Sequence, residues 1–385
     1  MTTTYISETY TTVRQLSEQI CEPLETEDYV PQPVPFVSPP KWHLAHSTWF
    51  FETFLLKAYY PDYIVFDESF NYLFNSYYNN VGERTLRTDR GNVTRPTIKS
   101  VYEYRHYVDR HMQELLNELS DEKALEMVQL GLQHEQQHQE LMITDIKYIL
   151  GHNPLFPVYR SGYNLVNAVN QETGFIDIPE GIYEVGFDGD GFCFDNELGR
   201  HKTYVQNFKI SKSLVTNGDF MEFMEAGGYQ DFNLWLDEGW SWVNNEAVQS
   251  PLYWHKIKGE WHYYTLAGLE KVNPKAILSH INFYEASAFA QWKEMRLPTE
   301  FEWEVASGLL YWGQRWEWTN SSYLPYPGFA KAKGAVGEYN GKFMINQMVL
   351  RGSSVATSPH HSRPTYRNFF HTNERWQYTG IRLVK

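Results

Sequence analysis

The sequence predicts a multi-domain protein of α and α+β class, with a four-helix bundle over residues 1–156 followed by an α+β domain over residues 157–385. Three observations predict it. The chain has 385 residues, 42% of them hydrophobic, enough to bury more than one core. Up to about residue 156, apolar residues recur at helical spacing. After Pro157 the texture changes to short strand-like runs, Gly-rich turns and Trp-rich loops.

Residues 7–24 read as a first helix, with Val13, Leu16, Ile20 and Leu24 along one side. Residues 31–40 carry five prolines and cannot be helical. A second helix, dense in aromatics, occupies residues 41–60 and stops at Pro61. Residues 66–96 keep no steady period and hold Tyr77, Tyr78, Arg84, Arg87, Arg90 and Arg95. A loop of that length inside a domain is functional or disordered, and its aromatic content favours the first. Residues 98–119 form another amphipathic helix through Val101, Tyr104, Val108, Met112 and Leu115. The fourth helix starts at a cap on Asp121 and ends at Gly151 and Pro154, with Leu125, Val128, Leu132, Leu141, Ile146 and Ile149 as its apolar stripe.

In the second domain, residues 175–178, 181–186 and 204–210 read as strands. Residues 216–225 and 283–295 read as short helices, and a third opens on the capping box Thr299-Glu300-Phe301-Glu302. Asp188, Asp190 and Asp195 offer carboxylates for calcium, although a hairpin turn explains them more simply.

Composition narrows the function. A formal net charge of −14 disfavours nucleic acid and anionic membrane surfaces as partners. No stretch approaches the roughly 18 apolar residues of a membrane span, and residues 1–27 lack a signal-like apolar core. A cytoplasmic protein is expected, of unspecified oligomeric state. Two cysteines, Cys21 and Cys193, exclude a disulfide framework and a multi-cysteine zinc site. Aromatics reach 17%, which suggests ring-lined clefts with polar edges.

The stretch richest in chemistry is Leu132-Gln133-His134-Glu135-Gln136-Gln137-His138-Gln139-Glu140. On a helix, His134 and His138 leave one face a turn apart, so two ring nitrogens can meet one metal ion. Polar residues fill nearly every intervening position, and polar groups buried in a bundle need partners. A third ligand can come from the second helix, where Trp42-His43-Leu44-Ala45-His46 places two histidines three apart. Small Ala45 lets a neighbouring helix come close beside His46, while His43 caps or hydrogen-bonds nearby. Three neutral imidazoles leave an M²⁺ ion its full charge and open positions, which favours an anionic ligand such as a thiolate. Spacing alone does not choose between zinc and iron.

These two histidine motifs together resemble the ergothioneine-biosynthesis sulfoxide synthases. The C-terminal half resembles the formylglycine-generating-enzyme-like domain of those enzymes, through Asp195-Asn196-Glu197, the run from Arg296 to Glu304, Arg351-Gly352-Ser353-Ser354, the run from Arg363 to Phe370, and Gly380-Ile381-Arg382-Leu383. The resemblance implies a DinB-like bundle followed by a C-type-lectin-like domain. It implies a mononuclear iron(II) centre held by His46, His134 and His138, and dioxygen as co-substrate. The implied reaction joins the sulfur of cysteine or γ-glutamylcysteine to C2 of the hercynine imidazole, giving a sulfoxide.

By the same resemblance Tyr78, with Tyr77 second, donates a proton that steers oxidation toward the C–S bond; packing tyrosines in an ordered loop are the alternative. Arg87 and Arg90 match arginines that hold the thiol substrate's carboxylate, a task that suits a planar fork. Gln137 matches a hercynine contact. Phe369, Phe370 and Trp376 match aromatic walls for the trimethylammonium group, and Trp376 reads equally well as core. Formylglycine-generating activity itself is not expected, because the second domain has only Cys193. Alternatives are a synthase for another pair, such as histidine with cysteine or a selenium donor with hercynine, a zinc thiol transferase, and a lectin-like module with a structural metal.

Overall fold

The computed structural model describes residues 3–76, 82–170, 172–331 and 340–385, and the chain divides into two units. The first contains four long helices. Helix α1 (Thr3–Cys21) and helix α2 (Pro40–Phe51) are separated by the proline-rich stretch. Pro40 takes the first helical position, where its missing N–H costs nothing. Helix α2 runs on through a π-helical turn (Glu52–Leu56) into the short α3 (Lys57–Tyr59). Helix α4 (Ser69–Phe74) interrupts the long loop. Helix α5 (Ile98–Glu118) is capped by the Thr97 side chain, and α6 (Glu122–Gly151) by that of Asp121. Helices α1 and α2 each pack on both α5 and α6.

The approach of α2 to α6 is set by Gly131. A Cβ there would lie 2.7 Å from Cε1 of Phe51 and 3.0 Å from that of Phe50. Alanine raises helix propensity by about 1 kcal/mol over glycine, but overpacking a filled core costs roughly 1–3 kcal/mol. Gly131→Ala should therefore lower the urea midpoint of unfolding. A raised midpoint would show that the two helices can separate freely.

The second unit is built of small sheets. Strand β1 (Phe175–Ile178) pairs antiparallel with β4 (Phe208–Ser211), and β2 (Gly181–Val185) with β3 (His201–Val205). Strands β5 (Trp254–Ile257), β6 (Glu260–Thr265) and β7 (Gly268–Lys271) form an antiparallel meander. A four-stranded sheet has the order β10 (Asn368–His371), β9 (Gln347–Gly352), β8 (Trp316–Ser322) and β11 (Thr379–Gly380), with only β8 and β11 parallel among these neighbours. Helices α7 (Asn217–Glu225), α9 (Phe283–Trp292) and α10 (Glu300–Ala306) each start on a capping box, through Thr216, Asn282 and Thr299. Ile178, Val205, Phe208, Ile210, Ala306 and Val384 form one apolar core.

Two expectations are corrected here. The run 204–210 is not one strand: it breaks at Gln206 and Asn207, and its halves pair with different partners, β2 and β1. Helix α8 (Asp237–Asn245) is not among the expected elements; it buries Gly239 and Val243 on one side, with Gly239 lying directly against Tyr284. Residues 357–361, although late in the chain, count with the helical unit. Ser358 donates to Gln139 Oε1 (2.6 Å), and His361 Nδ1 meets Gln133 Oε1 (2.7 Å).

The C-terminal sequence motifs supply a scaffold of buried ion pairs. Arg382 grips Glu317 with two bonds (2.6 and 2.8 Å), and Arg367 grips Glu300 (2.8 and 3.0 Å). Arg351 pairs with Glu304, and Arg363 with Glu197. Unpaired, any of these charges would be costly to bury. Among the described residues no helix is long and apolar enough to cross a membrane.

Candidate metal centre

Helix α6 presents His134 and His138 on one face, and α2 brings His46 against them. The ligand-capable atoms of the three lie within 4.8 Å of one another. Exposure is 0% for His46, 1% for His134 and 9% for His138. Ring centroids are 4.6 to 5.0 Å apart.

The His46 ring is fixed by its own helix. Trp42, four residues before it, stacks at 4.5 Å and 13°, and Trp49, three residues after it, stacks at 5.5 Å and 15°. His46 Nδ1 bonds the Phe74 carbonyl at 2.6 Å. A carbonyl only accepts, so the proton sits on Nδ1 and the Nε2 lone pair is bare. That Nε2 is buried and, among the described residues, has no hydrogen-bond partner. A buried acceptor in that state fits an absent cation.

Burial also makes the three rings neutral. It drives His134 down to about 3, against an opposing pull from Glu135. Burial, reinforced by the neighbouring imidazoles, holds His46 and His138 well below the ordinary histidine value. Neutral imidazole is the form that binds metal. The donor set therefore suits a divalent ion, with three nitrogens and room for further ligands.

The intervening polar residues have other partners. Glu135 accepts from Arg14, Arg105 and Ser17; Gln139 donates to the Val13 carbonyl; Gln136 donates to that of Pro359. The polar run is thus largely a bundle network, and the sequence reading credited too much of it to a metal. The second histidine of α2 is also engaged: His43 Nδ1 lies 2.8 Å from His138 Nδ1, and His43 Nε2 lies 2.9 Å from Asp145 Oδ2.

Arg90 lies one ring from His46. Its guanidinium sits 3.3 Å over Trp42 and donates to Ser38 Oγ and Ser76 Oγ, both at 2.9 Å. Arg87 is exposed and donates to the Phe36 carbonyl (2.6 Å). The two arginines are therefore not equivalent. Gln137 is half-buried on α6 beside His138. Tyr77 and Tyr78 lie outside the described residues.

In the second unit, Phe369 and Phe370 are neighbours on β10 and so face opposite sides of it. Phe369 stacks on Tyr323 at 4.1 Å, while Phe370 meets the edge of buried Trp376 at 5.6 Å. Asp188 pairs with Arg200, and Asp195 accepts from Asn340, so the acidic loop has non-metal partners. Burial pushes the Cys193 thiol up to about 11, which makes it a poor nucleophile at neutral pH.

Sequence reasoning missed the Trp42 and Trp49 clamp, the His43 and Asp145 contacts, and the Arg14 and Arg105 network. Only the first left a readable signal, the i−4 and i+3 spacing of tryptophans about His46.

The comparisons agree with both halves. A model of the DinB superfamily matches residues 9–142, and one of the sulfatase-modifying factor enzyme 1-like domain matches residues 164–309. The hercynine oxygenase of Mycolicibacterium smegmatis is 26% identical over 308 residues, covering 66% of this chain and 70% of its own. That of Mycobacterium tuberculosis is 26% identical over 301 residues, with the same coverage. The formylglycine-generating enzyme of Streptomyces coelicolor is 28% identical over 159 residues, covering 38% of this chain and 50% of its own. Both domain types are thus present in this order, and the chain is similar to hercynine oxygenases over about two thirds of its length.

Proposed function

We propose that the protein is an iron(II)- and dioxygen-dependent sulfoxide synthase that joins the sulfur of cysteine to C2 of the hercynine imidazole. The observation that carries this reading is the convergence of His46, His134 and His138 on one buried point, in a chain similar to hercynine oxygenases. When bound, ferrous iron supplies a place where dioxygen and a soft thiolate sulfur can meet. The three neutral imidazoles hold the ion without cancelling its charge, so an anionic thiolate is preferred as a further ligand. Arg90, buried and fixed by two serine hydroxyls, is preorganised to grip the substrate carboxylate, with exposed Arg87 as its partner. Gln137 orients the hercynine imidazole. Tyr78, with Tyr77 as the second candidate, holds the proton that directs oxidation to the C–S bond. Phe370 with Trp376 on one face of β10, or Phe369 on the other, offers ring surface to the trimethylammonium group.

Cysteine is preferred over γ-glutamylcysteine because the paired tyrosines and the Arg84–Gly91 loop resemble those of the cysteine-using enzymes. The test is oxygen uptake, with mass spectrometry of products, for hercynine and each thiol under air with ferrous iron. Uptake that requires hercynine, cysteine and iron together, with a coupled sulfoxide product, is the expected result. Metal-loaded protein that consumes no oxygen with any thiol would leave only a binding module.

A further inference from the structure

The contact between His43 and His138 is a hydrogen bond between two imidazoles, and for two neutral rings beside an Asp145 carboxylate it has one consistent proton assignment. A carboxylate only accepts. Asp145 Oδ2 also takes the Ser38 backbone N–H at 2.8 Å, as an acceptor should. His43 Nε2 therefore carries the proton donated to Asp145. That leaves His43 Nδ1 bare, so it accepts from His138 Nδ1–H at 2.8 Å. His138 Nε2 is then bare as well. The proton order of the whole chain is fixed by the carboxylate at its end.

We infer that His43 and Asp145 are positioning residues for the metal site: through two hydrogen bonds they hold His138 in the tautomer and orientation in which Nε2 ligates the ion. This rests on the proposed metal-binding reading and deepens it. Nothing in the spacing of the motifs required the relay. Asp145 lies seven residues beyond His138 on α6, on the same face, while His43 reaches in from α2. All three groups are buried, His43 and Asp145 both at 2% exposure, so both bonds are shielded from bulk solvent.

The relay answers two needs. Metal-bound histidines generally donate their other N–H to a fixed acceptor, which sets the ring angle and raises basicity. His46 meets that need with the Phe74 carbonyl. His138 has no carbonyl at Nδ1 and uses His43 instead. In addition, three neutral ligands leave the ion's charge uncompensated, and the relay links a buried carboxylate to the site. Without His43, the His138 ring would lose its buried acceptor and is free to carry its proton on Nε2, where it blocks ligation.

The test uses the full chain with cobalt(II) as probe, read by titration and by its visible absorption bands. His43→Leu should weaken cobalt binding by roughly ten- to a hundredfold and shift the bands, because His138 no longer ligates in the same pose. His43→Gln returns an amide oxygen that accepts from His138 Nδ1–H, and should recover affinity to within about threefold of the unsubstituted protein. Wild-type affinity and spectrum in a folded His43→Leu protein would overturn the inference. So would a His43→Gln protein that binds no better than His43→Leu. If circular dichroism shows His43→Leu unfolded, Asp145→Asn reads the same relay: about tenfold weaker binding is expected, and unchanged binding overturns it. Failure of the unsubstituted protein to take up cobalt would instead sink the metal reading itself, and the inference with it.

Discussion

His138→Ala should lose metal and oxygen consumption together. Structural sites with four ligands bind zinc with apparent free energies of roughly 10–16 kcal/mol. One ligand is then worth about 3 kcal/mol, or some two powers of ten in affinity. The loss at His138 should be at least that large, because the substitution also strands His43 Nδ1, which now accepts from the deleted ring. Elemental analysis after dialysis should show iron at background, and an oxygen electrode should show no uptake dependent on hercynine and thiol. Helical content should be unchanged, since the apolar contacts of α6 are kept. A variant that retains iron at wild-type occupancy would remove His138 from the ligand set, and one that retains turnover would overturn the proposed chemistry.

The second large effect is one of stability and centres on Glu135, the residue after His134. Its carboxylate is 1% exposed and ties three helices together. Oε1 accepts from Arg105 on α5 (2.6 Å) and Ser17 on α1 (2.6 Å), and Oε2 accepts from Arg14 on α1 (2.9 Å). Breaking a buried ion pair by removing one partner costs about 3–5 kcal/mol, because the remaining charge stays buried. Asp109 and Glu18 retain some hold on Arg14 and Arg105 and will soften the loss. Glu135→Ala should therefore fall near the lower end of that range in urea unfolding of the metal-free protein. A loss below about 1 kcal/mol, the scale of surface pairs, would mean that the network does not hold the bundle together.

Acid should act through the same groups in two windows. Burial alone would raise the Glu135 carboxyl, but Arg105, Arg14 and Ser17 overcome it and hold it at about 2 instead of 4.5. A lowered carboxyl pKa means that the unfolded chain binds the proton more readily. Its contribution, about 3 kcal/mol from the shift, is complete above pH 4.5 and disappears as pH falls toward 2. The buried histidines act at higher pH. His134 drops from 6.5 to about 3, so the metal-free protein should already lose stability below pH 6.5. Glu135→Gln should flatten the lower window and deepen the upper one, because it removes the charge that opposes the lowering of His134; melting temperatures across pH would show both.

Much of the helical unit could be read from sequence because its signals are local. Asp121 and Thr97 cap the helices that were expected to start after them, and the prolines from Pro31 to Pro39 keep helices α1 and α2 apart. Where the signal was not local, the reading failed. Residues 204–210 look like one strand because alternation along a run does not reveal a change of partner. Helix α8 escaped the reading because it is short and carries Gly239, a poor helix former, which packs against Tyr284. Phe369 and Phe370 look like a pair in sequence, yet a strand sends them to opposite faces.

By itself the sequence determined the long helices of the first unit, the i,i+4 spacing that turns His134 and His138 to one side, and the small set of histidines able to join them. These follow from backbone periodicity, which acts within a few residues. Only the tertiary structure decided that His43 stands behind His138, and that Arg14, 121 residues away, neutralises Glu135. The two histidines of α2 are three residues apart and chemically identical. What separates their roles is the close seat of α2 against Gly131 of α6, with a carbonyl waiting for one ring and a carboxylate for the other.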